Sequence, residues 1–316
     1  MSRAARQELT TTGSPYLRLY RSVASECETS AVSVPPGLDL PPEARRTTVP
    51  TASGDLAAFV AEPPSGVTPA APALLVPGYT GSKEDFLPVL GRLARAGHRV
   101  VAIDLRGQYQ SPGPEDPAAY TIDALSKDVA DVLAGLGFAA HLVGHSFGGL
   151  VARRAVIAGA RPLTLSLVGS GTAALGGHRA AIVELMWGLL DSGGSAAVAQ
   201  AAEAADRDDP RKADVPADVR RFLVDRLRAS PAASLRTMGE QLVTAADEVD
   251  ELRETGVAVL VAHGATDDAW SPEEQREMAA RLGARHVSID GAVHSPACET
   301  PDAMVDVLLE FWHAGR

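Results

Sequence analysis

Six short, almost continuous apolar runs constrain the fold of this chain more than any other feature. Helical stretches separate most of them, and the runs are ALLV (73–76), HRVVAIDL (98–105), AHLVG (140–144), LTLSLVG (163–169), VAVLVAHG (257–264) and RHVSID (285–290). Continuous rather than alternating apolarity is typical of strands that are buried on both faces, as in a parallel sheet. Strands that alternate with helices predict an α/β fold, with a mostly parallel central sheet flanked by helices.

Local signals in the first third of the chain fit this scheme. An SGD sequence separates β-like runs at 47–50 and 56–61, which predicts a hairpin. Ser82, with Asp85 three residues later, predicts a capping box that opens a helix reaching to about Ala96.

The sequence divides into an N-terminal extension, a core in two parts and an insertion. Residues 1–44 are polar and end in a proline-rich stretch, so we interpret them as an extension over the surface with one short helix at 16–23. Residues 45–170 and 250–316 carry the predicted strands and form the core.

Residues 171–249 contain no convincing strand. A helical insertion after a core strand is well placed to cover the ligand crevice of an open α/β sheet. We therefore predict a helical cap or lid there; a few ordinary surface helices are the alternative interpretation.

Composition narrows the classes of partner and compartment. The chain has 316 residues, 46% of them hydrophobic, which is enough for a large core, and a formal net charge of -11. This charge argues against nucleic-acid binding, since phosphate contacts need clustered Lys and Arg. No apolar run approaches the roughly 20 residues of a membrane span, and no apolar stretch follows the basic start as in a secretory signal. Two distant cysteines, Cys27 and Cys298, favour a cytoplasmic protein.

The stretch HLVGHSFGGLVARR (141–154) places Ser146 between two glycines, directly after a predicted strand and before a helical pattern. This context is typical of a nucleophile elbow, in which Gly144 and Gly148 let strand and helix approach closely. A turn that needed small residues is the other interpretation, because Gly-x-Ser-x-Gly alone is a weak pattern in a glycine-rich chain. In an elbow, the backbone N–H of Phe147 is one donor to an oxyanion.

A serine nucleophile needs a base that takes its proton and an acid that orients the base. These residues are expected at the ends of later strands, the acid first and the histidine second. Asp267 and Asp268 in ATDDAW follow the run 257–264, and His294 in AVHSP follows the run 285–290. The interval leaves room for a helix and a strand between acid and histidine.

Together, GHSFGG, GATDDAWSP and GAVHSPACETP resemble motifs of the α/β-hydrolase superfamily, in the branch of cap-bearing serine hydrolases of the esterase and thioesterase type. The resemblance covers roughly residues 45–316. It implies that Ser146 is the nucleophile and that His294 is the base of a catalytic triad.

The two adjacent aspartates leave two candidates for the acid. In the family the acid usually stands three residues after a glycine at a strand end, and counting from Gly264 favours Asp267. A proline often follows the acid, and counting back from Pro272 favours Asp268 instead. We expect Asp267, with Asp268 as the alternative.

The resemblance also implies a second oxyanion donor. In these families a His-Gly or Pro-Gly pair opens the loop after the strand, and the residue that follows donates its backbone N–H. In PGYTGS (77–82) that residue is Tyr79, and a plain turn is the alternative interpretation. DLRGQYQSPGP (104–114) resembles the family's Asp-x-Arg-Gly-x-Gly-x-Ser segment, which mostly shapes the loop beside the oxyanion hole. It departs from that segment at Tyr109, which stands in place of the second glycine.

The sequence is less informative about the substrate pocket. Tyr109, Trp187 and Trp270 are candidates for its lining, and packing in the core or cap explains the tryptophans equally well. No pair of histidines has metal-ligand spacing with a third ligand nearby, so we expect neither a metal nor a cofactor.

The function implied is acyl transfer to water, with a small-molecule carboxylic ester or thioester as substrate. A serine nucleophile excludes dehalogenases and epoxide hydrolases of this fold, which use an aspartate. Lactonase, amidase, C–C hydrolase and cofactor-free perhydrolase activities use the same triad and stay open. A protein that binds a small ligand without turnover is the alternative from another class, and the complete set of triad residues argues against it.

Overall fold

One sheet organises the computed structural model, which describes residues 33–137, 139–207 and 209–314. Within these residues the sheet has eight strands: β1 (Ala44–Thr51), β2 (Gly54–Ala61), β3 (Ala70–Val76), β4 (His98–Ile103), β5 (His141–His145), β6 (Thr164–Val168), β7 (Ala258–Gly264) and β8 (Arg285–Ile289). Their order across the sheet is β1-β2-β4-β3-β5-β6-β7-β8. β2 is antiparallel to β1 and β4, and all pairs from β4 to β8 are parallel. The mostly parallel sheet and the hairpin were both predicted correctly.

Helices connect the parallel strands. In the described residues they are α1 (Leu87–Arg95), α2 (Ile122–Gly135), α3 (Phe147–Ile157), α4 (Gly177–Arg207), α5 (Ala217–Ala229), α6 (Ala232–Thr244), α7 (Val249–Glu254), α8 (Pro272–Leu282), α9 (Pro296–Glu299) and α10 (Pro301–His313). None of these helices combines the length and apolar character needed to span a bilayer. The helix predicted at 16–23 lies outside the described residues.

The segment after Ser82 differs from the single helix predicted there. Ser82 N–H donates to Asp85 Oδ2 at 3.3 Å, as a capping box requires, but the first turn is a 3-10 helix (Lys83–Phe86). The α-helix α1 begins only at Leu87. Pro88 accounts for the break, because a residue without N–H fits only the first turn of an α-helix.

Each buried strand supplies two apolar cores. In β3, Leu74 and Val76 pack in a core with α2, α3 and α8, whereas Ala73 and Leu75 pack in a second core with α1 and α10. Successive residues of a strand point to opposite faces. A strand between two helical layers therefore has to be apolar at nearly every position, which explains the continuous runs in the sequence.

Helices α4, α5 and α6 form an insertion between β6 and β7 with an apolar cluster of their own. A buried ion pair ties this insertion to the core: Arg226 of α5 lies 2.6 Å from Asp85, and both side chains are almost fully buried. Removing one partner of such a pair leaves an uncompensated buried charge. That these helices act as a cap over a ligand site stays a prediction.

The carboxyl ends of the parallel strands meet at one edge of the sheet, where open α/β sheets bind ligands. Backbone segments touch there because two positions have no side chain. A Cβ atom on Gly148 would lie 2.4 Å from Pro77 O and 2.5 Å from Val76 O, and one on Gly144 would lie 2.4 Å from Gly148 O. Glycine at both positions lets β5, α3 and the loop after β3 pack together.

We expect Gly148→Ala to lower the free energy of unfolding by about 3 kcal/mol, the upper end of the cost of overpacking. The contacted atoms belong to the backbone and cannot move aside easily. Gly135→Ala at the end of α2 is the matched control, since a Cβ there meets nothing within 4 Å and alanine favours a helix. Denaturant unfolding of both variants measures the difference, and equal stability would contradict the close approach.

Candidate active site

Ser146 lies on a sharp turn between β5 and α3. Its backbone has φ 53° and ψ −121°, which is strained for a residue other than glycine. Its N–H donates to Val168 O at 2.9 Å, and its carbonyl accepts from Gly149 N–H at 2.8 Å, so neighbouring elements hold the turn. The strand–turn–helix context predicted for Ser146 is present.

Backbone strain gathers at this edge of the sheet. Three described residues other than glycine have a positive φ: Thr80, Tyr109 and Ser146. They follow β3, β4 and β5, whose carboxyl ends are adjacent in the sheet. Strained residues persist only where the surrounding structure holds them, and they cluster at functional sites.

Asp267 and His294 meet above the ends of β7 and β8. His294 Nδ1 lies 2.9 Å from Asp267 Oδ1, and both side chains are mostly buried. Asp267 also accepts hydrogen bonds from Ala269 N–H at 3.0 Å and from Gln275 Nε2 at 2.9 Å. Burial alone raises the pKa of Asp267, but His294 and these donors outweigh it and hold that pKa below its ordinary value. The hydrogen bonds of the described residues link His294 to Asp267 and His145, but not to Ser146.

Gln275 is a neighbour of the site that the sequence did not indicate. Its side chain is fully buried, and Nε2 donates both to Asp267 Oδ2 and, at 2.8 Å, to Trp270 O. The capping box of Ser271 and Glu274 fixes the start of α8 and thereby the position of Gln275 in its first turn. That capping box is the only local sequence signal for the position of Gln275, and it does not predict which side chain the glutamine contacts.

Asp268, the alternative acid, has a different partner. Its carboxylate forms an ion pair with Arg179 of α4. Asp267 is therefore the aspartate in hydrogen-bond contact with His294, and Asp268 links the same loop to the inserted helices.

His145 is buried directly before Ser146, and its Nε2 lies 2.8 Å from His294 O. Burial, reinforced by the nearby His294, lowers the pKa of His145 to about 3, so the ring is neutral in ordinary buffers. A neutral ring facing a carbonyl must donate, which places the proton on Nε2. His145 thus supports the loop that carries His294.

The loop after β3 carries Tyr79, whose side chain points into the insertion. Tyr79 Oη donates to Leu235 O of α6 at 2.8 Å and lies 3.9 Å from Met186 Sδ of α4. In the same loop, a Cβ on Gly78 would be 3.1 Å from Ser146 Cβ. Phe147 is the first residue of α3, so its N–H belongs to the turn that has no acceptor within the helix.

Buried charges fasten the loop after β3 to the loop after β4. Lys83 Nζ lies 2.9 Å from Asp104 Oδ2 and 3.0 Å from Glu84 Oε1, and Lys83 N–H donates to Asp104 Oδ1 at 2.7 Å. Burial raises the pKa of Asp104 to about 6 against the opposing effect of Lys83. These contacts give Asp104 the structural role expected from the sequence segment that contains it.

The three candidate pocket residues lie in different surroundings. Trp270 is buried with its ring centroid 6.5 Å from that of His294. Tyr109 packs edge-on against Phe222 of α5. Trp187 of α4 lies under the guanidinium of Arg236. Only Trp270 is a direct neighbour of the His294 ring.

Within residues 33–137, 139–207 and 209–314, no group of three or more His, Cys, Asp or Glu side chains is arranged to hold a metal ion. The groups that the structure places at this edge include a serine, a histidine hydrogen-bonded to a carboxylate, and backbone N–H groups.

The buried His145 makes stability depend on pH. The unfolded chain takes up a proton on this histidine near pH 6.5, whereas the folded chain does so only near pH 3. The unfolded state therefore binds more protons between these values, and the folded state loses stability as the pH falls.

His145→Gln keeps an N–H donor but does not titrate, so its stability should fall less steeply than that of the wild type. Between pH 6.5 and pH 5 we expect a difference of at most about 2 kcal/mol. Denaturant unfolding at several pH values measures it. Parallel curves for the two proteins would show that His145 is not buried in its neutral form.

A family model described as the alpha/beta hydrolase family matches residues 73–307. Among curated proteins, RutD of Variovorax paradoxus (strain S110), to which carbamate hydrolase activity is ascribed, is 38% identical over 130 residues. The match covers 40% of this chain and 48% of that protein, so the chain spans about half the length of this relative.

Solved structures share the fold over most of this chain, and two examples follow. The esterase RhEst1 from Rhodococcus sp. ECU1013 has a TM-score of 0.65 and 23% identity, covering 86% of this chain and 99% of that one. An enol-lactonase from Burkholderia xenovorans LB400 has a TM-score of 0.67 and 23% identity, covering 84% and 99%. Likeness at this identity shows a common fold. The matched family model, in contrast, extends from β3 into α10 and includes Ser146, Asp267 and His294, and the chain therefore belongs to the alpha/beta hydrolase family.

Proposed function

We propose that this protein is a serine hydrolase that cleaves a small-molecule carboxylic ester or thioester through an acyl-enzyme intermediate. The observation that carries the proposal is the 2.9 Å hydrogen bond between His294 and Asp267, at the same sheet edge as the strained turn of Ser146. A serine on such a turn, together with a histidine oriented by a buried carboxylate, is the arrangement that acyl transfer requires.

In this mechanism Ser146 Oγ attacks the substrate carbonyl while His294 Nε2 takes the hydroxyl proton. Nε2 is the free nitrogen for this purpose because Nδ1 faces Asp267. His294 then gives the proton to the leaving alcohol or thiol as the carbon–oxygen or carbon–sulfur bond breaks. Water attacks the acyl-enzyme, with His294 again accepting a proton, and Ser146 is regenerated.

Asp267 stays ionised throughout this cycle, since its pKa lies below the ordinary value of an aspartate. The carboxylate keeps the Nδ1 proton in place and stabilises the imidazolium that forms when His294 takes the serine proton. Gln275, by donating to Asp267 Oδ2, keeps the carboxylate facing the histidine.

Two backbone N–H groups serve as the proposed oxyanion hole. Phe147 N–H stands in the first turn of α3, where helix N–H groups point outward and the helix dipole favours negative charge. Tyr79 N–H comes from the loop that packs over Ser146 through Gly78. Removing one such donor typically costs about 10²–10³ in kcat.

The insertion of α4, α5 and α6 is the proposed cap that selects the substrate. Two contacts support this role, because they join the insertion to loops of the site: Tyr79 Oη with Leu235 O, and Arg179 with Asp268. Trp270, beside His294, is the proposed wall of the acyl pocket. Tyr109 packs against Phe222 of the insertion, and Trp187 is part of the insertion and packs against Arg236. They are the proposed contacts for the far end of a bulky acyl group.

Labelling with a fluorophosphonate tests the nucleophile without knowledge of the substrate. Intact mass spectrometry should find a single adduct on the wild type, no adduct on Ser146→Ala, and much slower labelling of His294→Ala. The serine variant should stay folded, because the hydroxyl is not required by the backbone of the turn. Single labelling would justify a screen of esters and thioesters.

The absence of an adduct on folded wild-type protein would mean that Ser146 is not activated. Labelling that persists in Ser146→Ala would place the nucleophile elsewhere. The first result would favour a ligand-binding protein or a different chemistry, and the second would overturn the assignment of Ser146 as the nucleophile.

The adjacent aspartates allow a matched test of the acid. Asp267→Asn should lower kcat by about 10⁴-fold, because an amide stabilises the wrong tautomer of the histidine. Asp268→Asn is the same substitution one residue away, on a side chain that pairs with Arg179, and should change kcat by less than about tenfold. Steady-state kinetics on an ester found by the screen decides between them, and the reverse pattern would assign the acid to Asp268.

A further inference from the structure

Gln108 is a buried polar side chain that the proposed mechanism does not use. It lies in the loop after β4, and both ends of its amide bind backbone groups. Nε2 donates to Gly78 O at 2.8 Å, and Oε1 accepts from Leu105 N–H at 3.0 Å. Because a carbonyl can only accept and an N–H can only donate, these partners fix the orientation of the amide.

Gly78 O belongs to the peptide group that joins Gly78 to Tyr79. The described chain has no cis peptide bond, and in a planar trans peptide the C=O and N–H point in opposite directions. A hydrogen bond that holds Gly78 O therefore also sets the direction of Tyr79 N–H. Gly81 N–H donates to the same carbonyl at 3.1 Å, so two donors hold this peptide group.

The loop that carries Gln108 is itself held firmly. Gln108 N–H donates to Leu105 O and Ser111 N–H donates to Gln108 O, both at 2.8 Å. Ser234 Oγ of α6 donates to Gly107 O at 2.8 Å. The side chain therefore projects from a rigid support toward the loop after β3.

We propose that Gln108 is a positioning residue for the oxyanion hole: by binding Gly78 O it orients the Gly78–Tyr79 peptide group so that Tyr79 N–H faces the developing oxyanion. This inference rests on the proposed function. A donor at the carbonyl end also polarises the peptide group and strengthens its N–H as a donor. The oxyanion forms only after Ser146 attacks, so the contribution falls on kcat and not on substrate binding.

Gln108→Glu removes the donor while preserving shape. One carboxylate oxygen still accepts from Leu105 N–H, and the other replaces Nε2 and repels Gly78 O. For hydrolysis of p-nitrophenyl acetate we expect kcat to fall by about 10- to 100-fold with little change in KM, a part of the loss seen when an oxyanion donor is deleted. The rate of fluorophosphonate labelling should fall in parallel, since its phosphoryl oxygen occupies the same site.

Gln241→Glu is the matched control. Gln241 belongs to α6, but its Oε1 accepts from Ile122 N–H at the start of the core helix α2, at 3.1 Å, and not from a loop of the site. This substitution therefore keeps the hydrogen bond and adds the same charge. We expect wild-type kcat, KM and labelling rate for this variant.

The pH dependence separates positioning from a general structural effect. A protonated glutamic acid carries an O–H that can donate to Gly78 O, as the glutamine does. Burial raises the pKa of a carboxyl group, so the ratio of kcat between Gln108→Glu and wild type should rise as the pH falls from 8 to 6. If the glutamate variant does not fold, Gln108→Met provides the test, with the same loss of kcat and unchanged KM.

The outcomes separate this inference from the proposed function. A wild type that is not labelled by fluorophosphonate overturns both. A labelled wild type together with a Gln108→Glu variant of wild-type kcat, or with a loss confined to KM, overturns the positioning role and leaves the serine hydrolase proposal standing. A loss of kcat that does not vary with pH also overturns it, because a purely structural defect is not repaired by protonation.

Discussion

The close packing of three backbone segments around Ser146 is the constraint on which the rest of the site depends. β5, α3 and the loop after β3 approach one another so closely that Gly144 and Gly148 have no space for a side chain. That packing holds Ser146 in its strained conformation, sets the first turn of α3 beside it, and brings Gly78 into contact range of the same residue. Strain of this kind survives only because the surrounding sheet over-determines the turn.

Buried polar contacts then join loops that come from distant parts of the chain. Lys83 and Asp104 connect the loops after β3 and β4, and Gln108 adds a second connection between them. Gln275 and His145 hold Asp267 and the backbone of His294. In a water-poor environment such contacts are strong when satisfied and costly when broken. The loops at this edge therefore form one interlocked unit, to which the insertion attaches through Arg226 and Asp85.

Much of the fold was predictable because its signals are local or periodic. The continuous apolar runs predicted the parallel strands, and the SGD sequence between two β-like runs predicted the hairpin. The errors have local causes. β4 ends at Ile103 and not at residue 105. Leu105 N–H donates to Gln108 Oε1 instead of to a neighbouring strand, and the chain turns away from the sheet there. The helix after Ser82 opens as a 3-10 turn ahead of Pro88. The pairing of Gln275 with Asp267 was not predictable, because the capping box at Ser271 marks only the start of α8 and no sequence pattern says which distant side chain the glutamine contacts.

The sequence by itself determined the sheet and its helical layers, the turn at Ser146, and the two strand ends where an acid and a histidine stand. These follow from residue type and spacing, which act over a few positions along the chain. Only the tertiary structure decided which aspartate contacts His294, that Asp268 pairs with Arg179, and that Tyr79, Gln108 and His145 meet partners on other elements. The reason is physical: neighbours in space are selected by how strands, helices and loops pack, and adjacent residues in one loop point in different directions.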